Sequence, residues 1–194
     1  MGNREDLLAG ARRCLYEKGY AHTTARDIAA ASGTSLAAIG YHFRSTKALL
    51  NEALIEATKE WGEELERVLD VEVAPDAGLL ERFEAVWTRV IASFSTHRQL
   101  WATQLEVVTQ IEQTPELRDQ LAEGLEQARL GLAELIQRID PGDPAAKLVG
   151  SFYQVLLTGV LVQWLIDPEH APSGRDLAEA LRVIAAEADR PGVQ

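Results

Sequence analysis

Apolar residues recur at intervals of three and four along almost the whole chain, and no stretch alternates as a β-strand would. That rhythm restricts the fold to packed helices, with Gly, Pro and capping residues marking where each one stops. Leu7, Leu8, Ala11, Cys14 and Leu15 form the stripe of a first helix, ended by Gly19. Thr24-x-x-Asp27 is a capping-box pattern that opens a short helix, which Gly33 closes. Ser35 is placed to cap a second short helix running to about His42. A long helix then begins near Ser45, with Leu50, Leu54, Ala57, Trp61, Leu65 and Val68 on one face. Its roughly 25 residues span about 40 Å, enough to join two lobes.

The same reading continues beyond a break at Pro75-Asp76. One helix presents Leu80, Phe83, Trp87, Val90, Ile91 and Phe94, and another presents Trp101, Leu105 and Val108. Thr114-Pro115-Glu116 combines a capping residue, Pro in the first turn and an acid near the positive end of the dipole. The helix it starts carries Leu117, Leu121, Leu125, Leu132, Leu135 and Ile139, then stops at Asp140-Pro141-Gly142. Asp143-Pro144 starts a helix that ends at Asp167-Pro168, and Ser173-x-x-Asp176 caps a last one with Leu177, Leu181 and Ile184. The expectation is an all-α protein of about nine helices.

Residues 148–166 contain no formal charge, which raises a membrane span as a possibility. Ser151, Gln154, Thr158, Gln163 and two glycines, without flanking basic clusters, favour instead a helix buried on several sides. The opening Met1-Gly2-Asn3-Arg4-Glu5-Asp6 has no apolar leader, and the single Cys14 precludes an internal disulfide. A cytoplasmic protein is expected. Its 46% apolar and 25% charged residues are ordinary for a globular chain.

The formal net charge of −11 is unevenly spread. Residues 1–55 sum to +2 and residues 56–194 to −13, so only the N-terminal end is fit to meet phosphate. That end holds the most informative segment, Thr23 to Phe43, read as two short helices joined by a tight turn at Ser32-Gly33-Thr34. This is the layout of a helix-turn-helix, whose second helix enters the major groove. Ile28, Ala29 and Ala31 pack from the first helix, and Leu36 or Ala37 with Ile39 from the second. Ala37, Ala38 and Gly40 allow close approach to the groove, while Thr34 and Ser35 offer hydroxyls.

The run ARDIAAASGTSLAAIGYHF followed by STKALL resembles the N-terminal domain of the TetR family of regulators. Leu15-Tyr16-Glu17-Lys18-Gly19-Tyr20 with Thr23-Thr24 extends the likeness, so it covers about residues 4–55. Transferred residue by residue, the resemblance implies DNA contacts at Thr24, Arg26, Thr34, Ser35, Ala37, Ala38, Gly40, Tyr41, His42 and Lys47. The family often has Tyr where this chain has Gly40, and usually Lys where it has Thr46. Here the aromatic and the basic residue each come one later, at Tyr41 and Lys47. The division expected is a DNA-binding domain over 1–48 and a sensing and dimerisation domain over 49–194.

The resemblance further implies a homodimer, a double-stranded pseudopalindromic operator and release by a small-molecule effector, making the protein a repressor. The uncharged helix also asks for a partner on its second side, so residues 143–188 are the expected dimer elements. Trp87, Phe94, Trp101, Gln104, Tyr153 and Gln154 are the candidate effector contacts, as aromatic and polar residues of the larger lobe. No catalytic, metal or cofactor role is expected. The four histidines are scattered, Glu63-Glu64-x-Glu66 reads as a solvated face, and no phosphate loop or nucleophile elbow occurs. A module that kept this fold but binds protein instead of DNA is the rival reading.

Overall fold

The computed structural model describes residues 4–72, 77–108 and 115–188, with side chains of 68–72 and 115–117 excepted. Among them are nine helices and no strand: α1 (Arg4–Lys18), α2 (Ala25–Ser32), α3 (Leu36–Phe43), α4 (Thr46–Glu72), α5 (Leu79–Thr96), α6 (Arg98–Val108), α7 (Pro115–Gln137), α8 (Pro144–Ile166) and α9 (Gly174–Ala188). The expected packing of Val68 and Leu117, the break at Pro75-Asp76 and the cap at Thr114 lie outside the described residues. The chain divides into two compact units. The first contains α1 to α3, α4 as far as Glu63, α6 and the start of α7; the second contains the remainder.

In the first unit the α1 stripe is buried as its spacing requires: Leu7, Leu8, Ala11, Cys14 and Leu15. Burial raises the Cys14 thiol above its ordinary value, so it remains a protonated core residue. Gly10 lets α1 and the end of α2 touch, since a Cβ there would lie 2.7 Å from the Ser32 Cβ. Leu49, Leu50, Ala53, Leu54 and Ala57 supply the α4 wall of this core. Two buried polar groups find partners here: the Tyr20 hydroxyl donates to Asn51 Oδ1 at 2.6 Å, and Thr23 Oγ1 to the Gly19 carbonyl at 2.7 Å. The Trp61 and Trp101 rings meet edge to face at 4.7 Å, joining α4 to α6. From α6, Glu106 accepts the Ala21 N–H at 2.9 Å in the loop before α2. The face α6 buries contains Leu100, Trp101, Thr103 and Val107, whereas Val108, expected inside, is exposed.

In the second unit Phe83, Val86, Trp87, Val90 and Phe94 of α5 are buried with Ile136 of α7 and Tyr153, Val160 and Leu161 of α8. Gly150 brings the α8 backbone against α7 so closely that a Cβ would fall 1.8 Å from the Arg129 carbonyl oxygen. Arg82 is buried among apolar residues because its Nε and Nη2 donate to the Ile136 and Leu135 carbonyls at 3.0 and 2.9 Å, the negative end of α7. Leu125 and Ile184, expected within apolar stripes, are exposed.

Helix α8 departs from the expectation of burial on several sides. It is long and apolar enough to cross a membrane by length and composition. Within the chain it buries one face, through Ala146, Gly150, Tyr153, Val160 and Leu161. The opposite face leaves Leu148 76% and Ile166 79% exposed, with Phe152 and Val155 between them, and α9 adds exposed Val183 and Ile184.

Candidate nucleic-acid interface

Helix α2 begins where the sequence marked it. Thr24 Oγ1 accepts the Asp27 N–H at 3.3 Å, and Asp27 Oδ2 accepts the Thr24 N–H at 2.9 Å, a complete capping box. Lys18 pairs with the same carboxylate. The Lys18 ammonium first, then the Thr24 donors, hold Asp27 well below the usual aspartate range. Gly33 ends α2 at φ 66°, with its N–H on the Ala30 carbonyl and the Thr34 N–H on that of Ala29, a Schellman closure. Thr34 Oγ1 and Ser32 Oγ share a hydrogen bond of 2.8 Å across the turn.

Ser35 caps α3, its Oγ accepting the Ala38 N–H at 3.3 Å. Ile39 and Phe43 are buried and set the roll of the helix. The Arg4 guanidinium covers the Phe43 ring at 5.0 Å and pairs with Glu52, holding the end of α3 against α1 and α4. With that roll fixed, the opposite face looks outward. Tyr41 is 85% exposed, and its ring meets His42 edge to face at 4.9 Å. Ala37 and Gly40 are exposed, and a Cβ on Gly40 would meet nothing within 4 Å. Leu36, one of two positions expected to pack, is 51% exposed, as Ala37 is exposed. Phe43 fills the space inside instead, because it lies four residues after Ile39 on the same side.

Of the other expected DNA contacts, Thr24, Arg26, Ser35 and Lys47 are exposed, while Thr34, Ala38 and His42 are half-buried. The Thr24 and Ser35 hydroxyls already serve as caps. Arg44 escaped the sequence reading. It follows Phe43 at φ 64°, exposed, and Ser45 behind it caps α4 by accepting the Ala48 N–H at 3.1 Å. A basic residue on each side of a capping serine was the signal available for finding it. Arg26, Arg44 and Lys47 make no ion pair among the described residues, whereas Arg4 and Arg12 are matched by Glu52 and Glu60 of α4. Arg26, Arg44 and Lys47 thus leave positive charge without a carboxylate partner beside the α2–α3 pair.

The effector candidates divide between the units. Trp101 and Gln104 belong to the first, where the Gln104 amide donates to Thr58 Oγ1. Trp87, Phe94, Tyr153 and Gln154 belong to the second. There Phe83 stands 5.9 Å from the Trp87 ring and 6.0 Å from that of Tyr153, and Phe94 is 5.7 Å from Trp164. Gln137 donates to the Tyr153 hydroxyl, and Arg129 Nε to Gln154 Oε1 at 2.9 Å. Trp87 is 1% exposed, and its indole N–H finds no acceptor among the described residues. Such an orphan donor costs about 1–3 kcal/mol. Among the described residues no three His, Cys, Asp or Glu side chains converge as a metal site would require.

The chain matches two family models. Residues 7–53 match that of the bacterial regulatory proteins of the tetR family, and residues 78–187 that of the tetracyclin repressor-like C-terminal domain. No curated protein sequence matches it. A putative transcriptional regulator of Streptomyces coelicolor A3(2), SCO7518, superposes with a TM-score of 0.66 at 24% identity, over 93% of this chain and 96% of that one. The multidrug binding protein EbrR, complexed with imidazole, gives 0.65 at 21% identity over 98% and 97%. A TetR transcription regulator of Haloarcula marismortui gives 0.61 at 21% over 95% and 94%. These likenesses establish the shared fold, and the two family matches together span both units. The chain belongs to the TetR family of DNA-binding transcriptional regulators.

Proposed function

We propose that the protein is a dimeric repressor that binds a pseudopalindromic operator and is released by a small-molecule effector. The observation that carries the DNA-binding half is the outward face of α3, fixed by buried Ile39 and Phe43 and bordered by the unmatched Arg26, Arg44 and Lys47. In this reading Thr24, Arg26, Thr34, Ser35 and Lys47 engage the phosphate backbone, with Arg44 beside them. Ala37, Ala38, Gly40, Tyr41 and His42 lie along the groove. Lys47 sits in the first turn of α4, where backbone N–H groups and the dipole also favour an anion.

Dimerisation is assigned to residues 143–188. The exposed apolar face of α8, with Val183 and Ile184 of α9, is of the kind a second copy covers in an isologous contact. Membership of a family of DNA-binding regulators supports pairing over membrane insertion for α8, and with it a cytoplasmic location. Two recognition helices would then stand ~34 Å or more apart along the DNA. The effector is assigned to the aromatic cluster of the second unit, around Trp87, Phe94, Tyr153 and Gln154, where the Trp87 N–H awaits an acceptor. Trp101 and Gln104 belong to the first unit and are not assigned to that cluster. EbrR, a multidrug binding protein of the same fold seen in complex with imidazole, is in keeping with a small-molecule site here.

The helix α4 has residues in both units, so a change in its direction on effector binding would alter the spacing of the two heads. Such coupling is reciprocal: operator must weaken effector binding by the factor by which effector weakens operator. Selection of random duplexes on the purified protein at moderate salt tests the reading. Enrichment of an inverted repeat is the expected result. A folded dimer, free of bound small molecule, that enriches no sequence would sink it.

A further inference from the structure

Helix α3 reads Leu-Ala-Ala-Ile-Gly-Tyr-His-Phe from residue 36 to residue 43. It contains no Arg, Lys, Asn, Gln, Asp or Glu. The side chains that make bidentate contacts to guanine or adenine, or accept from cytosine, are therefore missing from the element that would lie in the groove. Its polar groups are the Tyr41 hydroxyl and the His42 ring, both in its second half, with His42 half-buried. The first turn, which reaches deepest in a helix-turn-helix, offers only Leu36 and Ala37, both turned to solvent. A leucine 51% exposed beside the cap of a recognition helix presents apolar surface to solvent. The one apolar feature of the major-groove floor is the C5 methyl of thymine.

We propose that Leu36 and Ala37 read thymine C5 methyls, so that the operator is specified at those steps by methyl contact in place of bidentate hydrogen bonds. The proposal rests on the DNA-binding reading given above and adds what the helix recognises. It assigns sequence choice to Leu36 and Ala37, and affinity to Arg26, Arg44 and Lys47 on the backbone.

Replacing thymine by deoxyuridine removes only the methyl and leaves the pairing edge unchanged. The test titrates the full chain, at fixed salt, against the selected operator and against copies carrying deoxyuridine at one thymine at a time. Each contacted methyl is expected to be worth about fourfold in affinity, at one or two positions per half-site and none elsewhere. Leu36→Ser, at an exposed position that leaves the core intact, is expected to bind the two duplexes alike at one of those positions while keeping its salt dependence. Equal affinity of the unaltered protein for the operator and its fully substituted copy overturns the proposal but leaves DNA binding standing. So does Leu36→Ser retaining the full thymine preference. Failure to bind any duplex overturns both readings together.

Discussion

Two glycines in the reading head act in opposite ways. Gly33 occupies the left-handed region at φ 66°, where a Cβ crowds the following carbonyl. Gly33→Ala is expected to lower unfolding stability by about 1–2 kcal/mol, read as a shift in the urea midpoint. Gly40 lies within α3 with open space around it, and Gly40→Ala is expected to raise stability by up to about 1 kcal/mol by the same assay. A loss of stability at Gly40 would mean that the helix is held by something other than the residues described. Asp27 gives a pH dependence. Its carboxyl is held below the ordinary value, so its stabilising effect is complete at neutral pH and is lost as pH falls below about 4. The urea midpoint of Asp27→Asn should therefore fall less between pH 7 and pH 3 than that of the unaltered chain. Parallel curves would remove Asp27 from the acid response.

At the scale of elements, the α2–turn–α3 unit was legible because its signals are local. A capping box, a glycine after the last turn and a second capping serine each act within a few residues. The side of α3 that packs was harder to read. Leu36, Ile39 and Phe43 are all apolar in an eight-residue helix, and only tertiary neighbours, such as Arg4 over the Phe43 ring, decide that Ile39 and Phe43 go inside. Basic residues on either side of a capping serine are the sequence signal for Arg44, whereas its positive φ, where the chain turns into α4, is visible only in the structure. The effector candidates were chosen as aromatic and polar residues, a rule that cannot tell Trp87, with its orphan donor, from Phe94, which has none. Arg82 likewise reads as a surface charge until the α7 carbonyls that hold it are seen. For the interface itself, Arg44→Ala and Lys47→Ala are each expected to reduce by about one the slope of log affinity against log salt. A slope unchanged in both would place the phosphate contacts elsewhere.

Over the whole sequence, charge is unevenly divided. Residues 1–55 carry the excess positive charge and the rest the acidic one, which leaves one end able to approach DNA. On the proposed dimer, Val155→Glu places a charge on the exposed face of α8 without touching the core. It should yield a folded monomer by sedimentation, with operator affinity falling at least tenfold because each head then binds alone. A dimer that survives both Val155→Glu and Leu148→Glu would put the interface on another surface. The same face has a consequence for how the protein persists in a cell. A newly made chain exposes Leu148, Phe152, Val155 and Ile166 in one strip, the kind of surface that chaperones hold and proteases sample. The proposed pairing would hide that strip, so folded half-life and melting temperature should both climb with protein concentration. On that proposal the regulator would thin itself out when scarce: chains that find no mate would be cleared, and the pool reaching DNA would already be matched in pairs.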